Sequence, residues 1–241
     1  MGHAFAIVAP NTDTGKTQVV AALFHHLQRQ KRSSAVMKPV QTGASKNING
    51  EWLAEDLAAC YARANQPTPP IPGDHVPYVF APPCSPHLAA QKAQTPIDIS
   101  YIAECFQRLR SKYDMVLLET AGGILSPLSE TETMADMIGA LGIPAVLLLP
   151  NTLGAISQTL SAVESLSHRA IPIAGIIVKE GDQQQDALNV EISKDNMRYI
   201  HSTTKLPLLG HMGYTPRPEE LPHTYASECK TIIERLYAYD D

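Results

Sequence analysis

A chain of 241 residues, 44% of them hydrophobic, is long enough to bury one sizeable core. Its net charge of −5 excludes a broad polyanion-binding surface such as nucleic acid requires, and no basic cluster is longer than Gln30-Lys31-Arg32. No secretory or myristoylation signal and no bilayer-length apolar run is read, and Cys60, Cys84, Cys105 and Cys229 lack metal-type spacing, so a cytoplasmic protein with free thiols and no membrane partner is expected.

The first predicted strand is Phe5–Ala9, FAIVA. It runs into a polar turn that ends in Gly15-Lys16-Thr17, and a helical pattern follows at once, with Val20, Leu23, Phe24 and Leu27 at i, i+3, i+4 and i+7. Strand, loop, Gly-Lys-Thr and helix in that order is the layout of a phosphate-binding loop. Free backbone N–H groups and the helix dipole favour an anion there. Lys16 would reach the terminal phosphates, and the Thr17 hydroxyl would ligate Mg²⁺. The standard motif asks for glycine at position 10, where this chain has Pro10. An ordinary strand-to-helix turn bent at Gly15 is the alternative.

Further strands are predicted at Ser34–Lys38, Asp114–Leu118, Ala145–Leu149 and Ile173–Val178, with a short one at Leu206–Leu209. Most are continuous apolar runs, as strands buried on both faces of a parallel sheet should be. Helical stripes lie between them. Trp52–Cys60 reads as a short helix. Ile102, Cys105, Phe106 and Leu109 form a second stripe that Ser100 could cap. Ile156, Leu160, Val163 and Leu166 form a third, and Tyr225–Tyr239 reads as a last helix on the sheet. Proline-rich Gln66–Pro86 reads as a long ordered excursion and polar Gly181–Asn189 as a mobile surface loop. The alternation predicts a single-domain α/β fold, a doubly wound and mostly parallel sheet of the P-loop NTPase type, with ligands at the carboxyl ends of the strands.

Two strand ends carry charge. Lys38 precedes Pro39, and Glu119 precedes Thr120-Ala121-Gly122-Gly123. A lysine beside a phosphate loop would face the transferring phosphoryl group, and an acid after an apolar strand can position magnesium. Asp56 read alone is a solvated carboxylate. Together Lys16, Thr17, Lys38, Asp56 and Glu119 can hold Mg-nucleotide and support phosphoryl transfer.

These residues also carry a family resemblance. The chain is similar to dethiobiotin synthetases, the ATP-dependent carboxylases of biotin synthesis. Their long phosphate loop G-T-D-T-x-V-G-K-T aligns without gaps on Ala9 to Thr17. Their K-P-V-x-[ST]-G is matched by Lys38-Pro39-Val40-Gln41-Thr42-Gly43, and P-x-S-P-H by Pro83-Cys84-Ser85-Pro86-His87. V-E-G-A-G-G is matched by Leu118 to Gly123, L-G-x-I-[NS] by Leu153 to Ser157, and P-L-L-G by Pro207 to Gly210.

The resemblance implies 7,8-diaminononanoate, CO₂ and Mg-ATP as substrates, with Lys16 and Lys38 as the catalytic cations. It implies a nucleotide held by Asn11, Thr12, Asp13, Thr14, Gly15, Lys16 and Thr17, with Lys179 and Gly210 at the base end. Magnesium would be held by Thr17, Asp56 and Glu119. The diamine or its carbamate would meet Thr12, Lys38, Thr42, Ser85 and the N–H groups around Gly122 and Gly123. Gly154, Ala155, Ile156 and Ser157 would bind its carboxylate across a homodimer interface. The chain departs from the family at Ala9, Pro10 and Thr120. It also has Lys179 where the family commonly has an adenine-reading Asn, so weak discrimination among nucleoside triphosphates is expected. The competing readings are a cobyrinate-type amide synthase, a ParA/MinD-like switch ATPase, which would carry an extra loop lysine absent from positions 9–14, and a catalytically inactive homologue.

Overall fold

The computed structural model describes residues 2–181, 187–214 and 224–240. Six strands form one wholly parallel sheet: β1 (His3–Val8), β2 (Ser34–Met37), β7 (Met115–Glu119), β8 (Ala145–Pro150), β9 (Ile173–Lys179) and β10 (Leu208–Met212). Their order is β10-β9-β8-β1-β7-β2, so β1 lies inside the sheet, between β7 and β8. The register sets Ile7 beside Glu119 and Met37 beside Leu118, which brings the ends of β1, β7 and β2 to one edge.

The continuous apolar runs have a simple cause. Alternate residues of each strand face opposite layers. Ala4, Ala6 and Val8 of β1 join Val116, Leu118, Leu147 and Leu149 in a cluster beneath α3 (Pro86–Lys92), α4 (Ile99–Lys112), α5 (Met134–Leu141) and α6 (Ala155–His168). Phe5 and Ile7 join Leu117 and Leu148 in a second cluster beneath α1 (Lys16–Arg29), α2 (Glu55–Arg63) and α8 (Ala226–Asp240). Helix α7 (Ala187–Thr204) closes the first layer through Ile200. No helix among the described residues is long and apolar enough to cross a membrane.

Several local expectations are corrected. Asp98, not Ser100, caps α4, its side chain accepting from the Ser100 N–H at 2.7 Å. Trp52–Leu53 is a strand, β5, paired antiparallel with β4 (Ser45–Lys46), and α2 begins only at Glu55. The last strand lies later than expected, at Leu208–Met212. The fully buried face of α6 is Ala155, Thr159, Ala162 and Leu166; of the expected stripe Leu166 lies on it, and Ile156 and Val163 pack on the core half-buried. Within Gln66–Pro86, Tyr78–Val79 forms β6, parallel to β3 (Val40–Gln41), so the excursion is tied beside the sheet. The expected loop at Gly181–Asn189 ends earlier, since α7 already starts at Ala187; residues 182–186 lie outside the described part. The sequence pattern did not reveal α5, although Thr133 and Asp136 build a complete capping box at its start.

Candidate active site

The loop after β1 turns into α1 at Gly15, whose φ of 83° is left-handed. A side chain is strained there, so glycine is the residue of choice. Ala9 is fully buried in the second core cluster and does not adopt positive φ, so the absent family glycine leaves no backbone conflict. Lys16 opens the helix. Its ammonium donates to the Asn11 carbonyl at 3.0 Å, folding the loop over its own lysine. Asn11 in turn donates to the Gln158 side chain of α6 at 3.1 Å, which anchors the exposed loop crest. Burial, and then the nearby Lys38 charge, lower the Lys16 pKa to about 8.

Three distant segments meet beside this loop. Lys38 follows β2, Glu119 ends β7 and Asp56 lies in the first turn of α2. Lys38 Nζ stands 2.7 Å from Glu119 Oε1 and 2.8 Å from Asp56 Oδ2. Thr17 donates to Glu119 Oε1 at 2.7 Å and approaches Asp56 Oδ1 at 3.3 Å. Burial works against the Lys38 ammonium, but the two carboxylates outweigh it and hold its pKa above the ordinary lysine value. Burial also opposes the Asp56 carboxylate, and Lys38 outweighs that, keeping Asp56 below its ordinary value. All these groups line one cleft of about 680 Å³ at the carboxyl ends of the strands.

The donor set suits magnesium. Two carboxylates and a hydroxyl, all hard oxygens, converge within hydrogen-bond distance beside a phosphate loop. Thr120, where the family has glycine, is accommodated: its hydroxyl donates to the Ile7 carbonyl at 3.3 Å and leaves no buried group unpaired.

Of the other residues expected at the site, Thr12, Asp13, Thr14, Thr42, Gly122 and Lys179 line the cleft. Other expected residues sit differently. The Gly123 N–H is spent on Ser126 Oγ at 2.9 Å and is not offered to a ligand. Gly123 is glycine because a Cβ there would stand 2.3 Å from the Pro10 carbonyl oxygen beneath the loop. Ser85 is the N-terminal cap position of α3, and Gly210 packs against Ile232 of α8; neither lines the cleft. Gly154 to Ser157 open α6 outside the cleft lining, with Ala155 buried and Ile156 packed on the core. Only their backbone and the exposed Ser157 remain for a ligand.

Lys179, at the end of β9, is buried in the cleft lining. Its ammonium donates to the Glu180 and Gly213 carbonyls, both at 2.9 Å, and stands 6.0 Å over the Tyr214 ring. A Cβ on Gly15 would lie 3.6 Å from Lys179 Cγ, so this side chain also borders the loop.

Three residues carry no sequence signal: Gln41 and Glu180 line the cleft, and Asn151 sits between the lining residues Pro150 and Thr152. Gln41 is the variable position of a motif. Asn151 and Glu180 follow β8 and β9. Asn151 donates to Glu180 Oε1 at 2.8 Å and to the Ser193 hydroxyl, and accepts from Asn196 at 3.2 Å. Glu180 Oε1 also meets His211 Nε2 at 2.8 Å. Only a pattern of polar residues recurring where strands end could have pointed to them.

Residues 3–220 match the family model AAA_26, described as an AAA domain. The chain is 35% identical over 210 residues to the ATP-dependent dethiobiotin synthetase BioD of Aromatoleum aromaticum, covering 86% of this chain and 89% of that protein. It is 30% identical over 215 residues to the protein of the same name from Nitrosospira multiformis, covering 89% of each. Among solved structures, the septum site-determining protein MinD of Pyrococcus horikoshii, complexed with Mg-ADP, superposes with a TM-score of 0.59 over all of this chain and 97% of its own, at 19% identity. That likeness establishes the P-loop NTPase fold alone, whereas the sequence relationship is specific: the chain belongs to the ATP-dependent dethiobiotin synthetase family.

Proposed function

We propose that this protein uses Mg-ATP to carboxylate 7,8-diaminononanoate with CO₂ and close its ureido ring, giving dethiobiotin, ADP and phosphate. The observation that carries this reading is the second lysine. Lys38, 5% exposed, is held between Glu119 and Asp56 beside the Gly15-Lys16-Thr17 turn. A nucleotide-binding fold needs one lysine for its phosphates. A second cation fixed at the adjacent strand end suits a further anion that must approach the γ-phosphate.

One amine of the substrate adds to CO₂ and loses a proton, giving a carbamate. A carbamate oxygen attacks the γ-phosphorus as the bond to ADP breaks, giving a carbamic-phosphoric anhydride. The second amine attacks the carbonyl carbon, loses a proton and expels phosphate. Lys16 would meet the terminal phosphates, and Lys38 the carbamate and the oxygens between them. Two Lys38 protons point at carboxylates, which fixes the ammonium before substrate arrives and leaves one for the reacting anion. The Thr12 and Thr42 hydroxyls would hold the carbamate end. Thr17, Asp56 and Glu119 would hold Mg²⁺, which neutralises charge on the phosphates when bound. The family resemblance adds a cytosolic homodimer, in which the start of α6 would meet the substrate carboxylate of the partner subunit's site.

The test is phosphate release from Mg-ATP with bicarbonate, with and without 7,8-diaminononanoate, for wild type and Lys38→Ala. Diamine-dependent release lost in the variant is the expected result. Hydrolysis indifferent to the diamine would instead indicate a switch ATPase of the MinD kind, and none with any triphosphate an inactive homologue.

A further inference from the structure

Gln41 lines the cleft but has no part in the chemistry above. It ends β3, where Val40 turns into the core cluster and Gln41 to the opposite side. Its backbone is fixed: the Gln41 carbonyl accepts from Phe80 N–H at 2.8 Å, and three residues earlier Lys38 N–H donates to the His75 carbonyl at 2.8 Å. The side chain is only 5% exposed.

The two ends of its amide differ. Nε2 donates to the Thr42 carbonyl at 3.0 Å. That acceptor fixes which end is nitrogen. Oε1 is buried and accepts no hydrogen bond. A buried acceptor without a donor is costly, and a site that keeps one is suited to a ligand that donates. Lys38 and Thr17, which line the same cleft, direct protons at Glu119 and Asp56, and neither bonds Oε1. Of the three substrates proposed for this cleft, CO₂ has no N–H or O–H, and the triphosphate presents only acceptors at this end. The diamine brings N–H groups at its reacting carbons.

We propose that Gln41 Oε1 accepts a hydrogen bond from an amine N–H of the diamine substrate, holding that nitrogen beside Lys38 and Thr42. The inference rests on the reaction proposed above. A neutral amide suits this task. It takes one N–H and leaves the amine lone pair free to attack CO₂, whereas a carboxylate there would favour the protonated, non-nucleophilic ammonium.

The experiment is steady-state kinetics of Gln41→Leu, with Gln41→Met made alongside because its unbranched chain follows the path of the glutamine. Thermal melts identify the folded variants. KM for 7,8-diaminononanoate is expected to rise about tenfold while KM for Mg-ATP stays within about twofold. Calorimetric titration of the diamine should weaken in parallel. An unchanged diamine KM in a folded variant overturns the proposal. So does a rise confined to Mg-ATP or to the Mg²⁺ requirement, which would assign Oε1 to a metal-bound water or Gln41 to support of Asp56. If wild type shows no diamine-dependent turnover, the reaction reading fails first and this one with it; turnover in wild type with an unmoved variant sinks this one alone.

Discussion

At the phosphate-loop end of the cleft, two lysines, two carboxylates and a hydroxyl stand within hydrogen-bond distance of their neighbours, most of them buried. Where β9 ends, Lys179 and Glu180 are also buried or nearly so, yet Lys179 spends its protons on backbone carbonyls and Glu180 accepts from an asparagine, a serine and a histidine. The first end stores opposed charges that a ligand can rearrange. The second uses charge to tie β8, β9, β10 and α7 together. Charged residues at equivalent strand ends of one sheet thus differ in their partners: the Lys38 ammonium faces two carboxylates, whereas Lys179 donates to backbone carbonyls and Glu180 meets amide, hydroxyl and imidazole groups.

The largest expected effect lies at the first end. Lys38→Ala should lower kcat by about 10²–10³-fold, the usual loss when a preorganised charge is removed. It also leaves Glu119, 2% exposed, without its cation, so stability without metal should fall by about 3 kcal/mol. Melts with and without Mg²⁺ check this, because a divalent cation should recover part of the loss in the variant. If Lys38→Ala changes stability but not turnover, the first end is architectural after all and the comparison collapses.

Asn151→Leu should show the opposite profile. It removes the amide that joins Glu180, Ser193 and Asn196, leaving buried polar groups unpaired at a cost of about 1–3 kcal/mol. For a chain of this length that is a fall of several degrees in Tm, about 2–4 °C per kcal/mol, with kcat retained. A variant that melts normally but turns over slowly would move this network into the catalytic half.

Base selection is expected to be loose. The Lys179 ammonium is committed to two carbonyls and offers a base no acceptor. kcat/KM for ATP should lie within about tenfold of those for CTP and GTP, the span of one modest contact. Lys179→Asn should widen that margin toward ATP. A strong ATP preference in wild type would show that the base is read by groups other than Lys179.

The smallest effect is in acid. Burial tends to raise the Glu180 pKa, but His211, Asn151 and Ser193 outweigh it and hold it below the usual glutamate value. A carboxyl whose folded pKa is depressed adds stability above its unfolded pKa, and that stability fades as pH falls through the folded value. His211 and Lys179 are its titratable neighbours. Urea midpoints at about pH 7 and about pH 4 should therefore drop more in wild type than in Glu180→Gln, which has no carboxyl to protonate. Equal drops would remove Glu180 from the account.

Much of this molecule was legible in local patterns. The runs at β1, β7, β8 and β9 announce strands buried on both faces, and the residues of two helical stripes, Val20 to Leu27 and Ile102 to Leu109, are buried as spaced. Gly15-Lys16-Thr17, Lys38 and Glu119 were legible because each closes or follows such a strand. Asp56 was legible only through its company. Alternation and helical spacing are properties of neighbouring residues, so a linear reading captures them. Tertiary packing decided the remainder. It paired Lys38 with Glu119, 81 positions away, spent the Gly123 N–H on Ser126, and carried Ser85 and Gly210 out of the cleft. It also left Gln41 with one amide end satisfied and the other not. Whether a polar atom is satisfied depends on groups that arrive from distant segments, and no local pattern encodes their arrival.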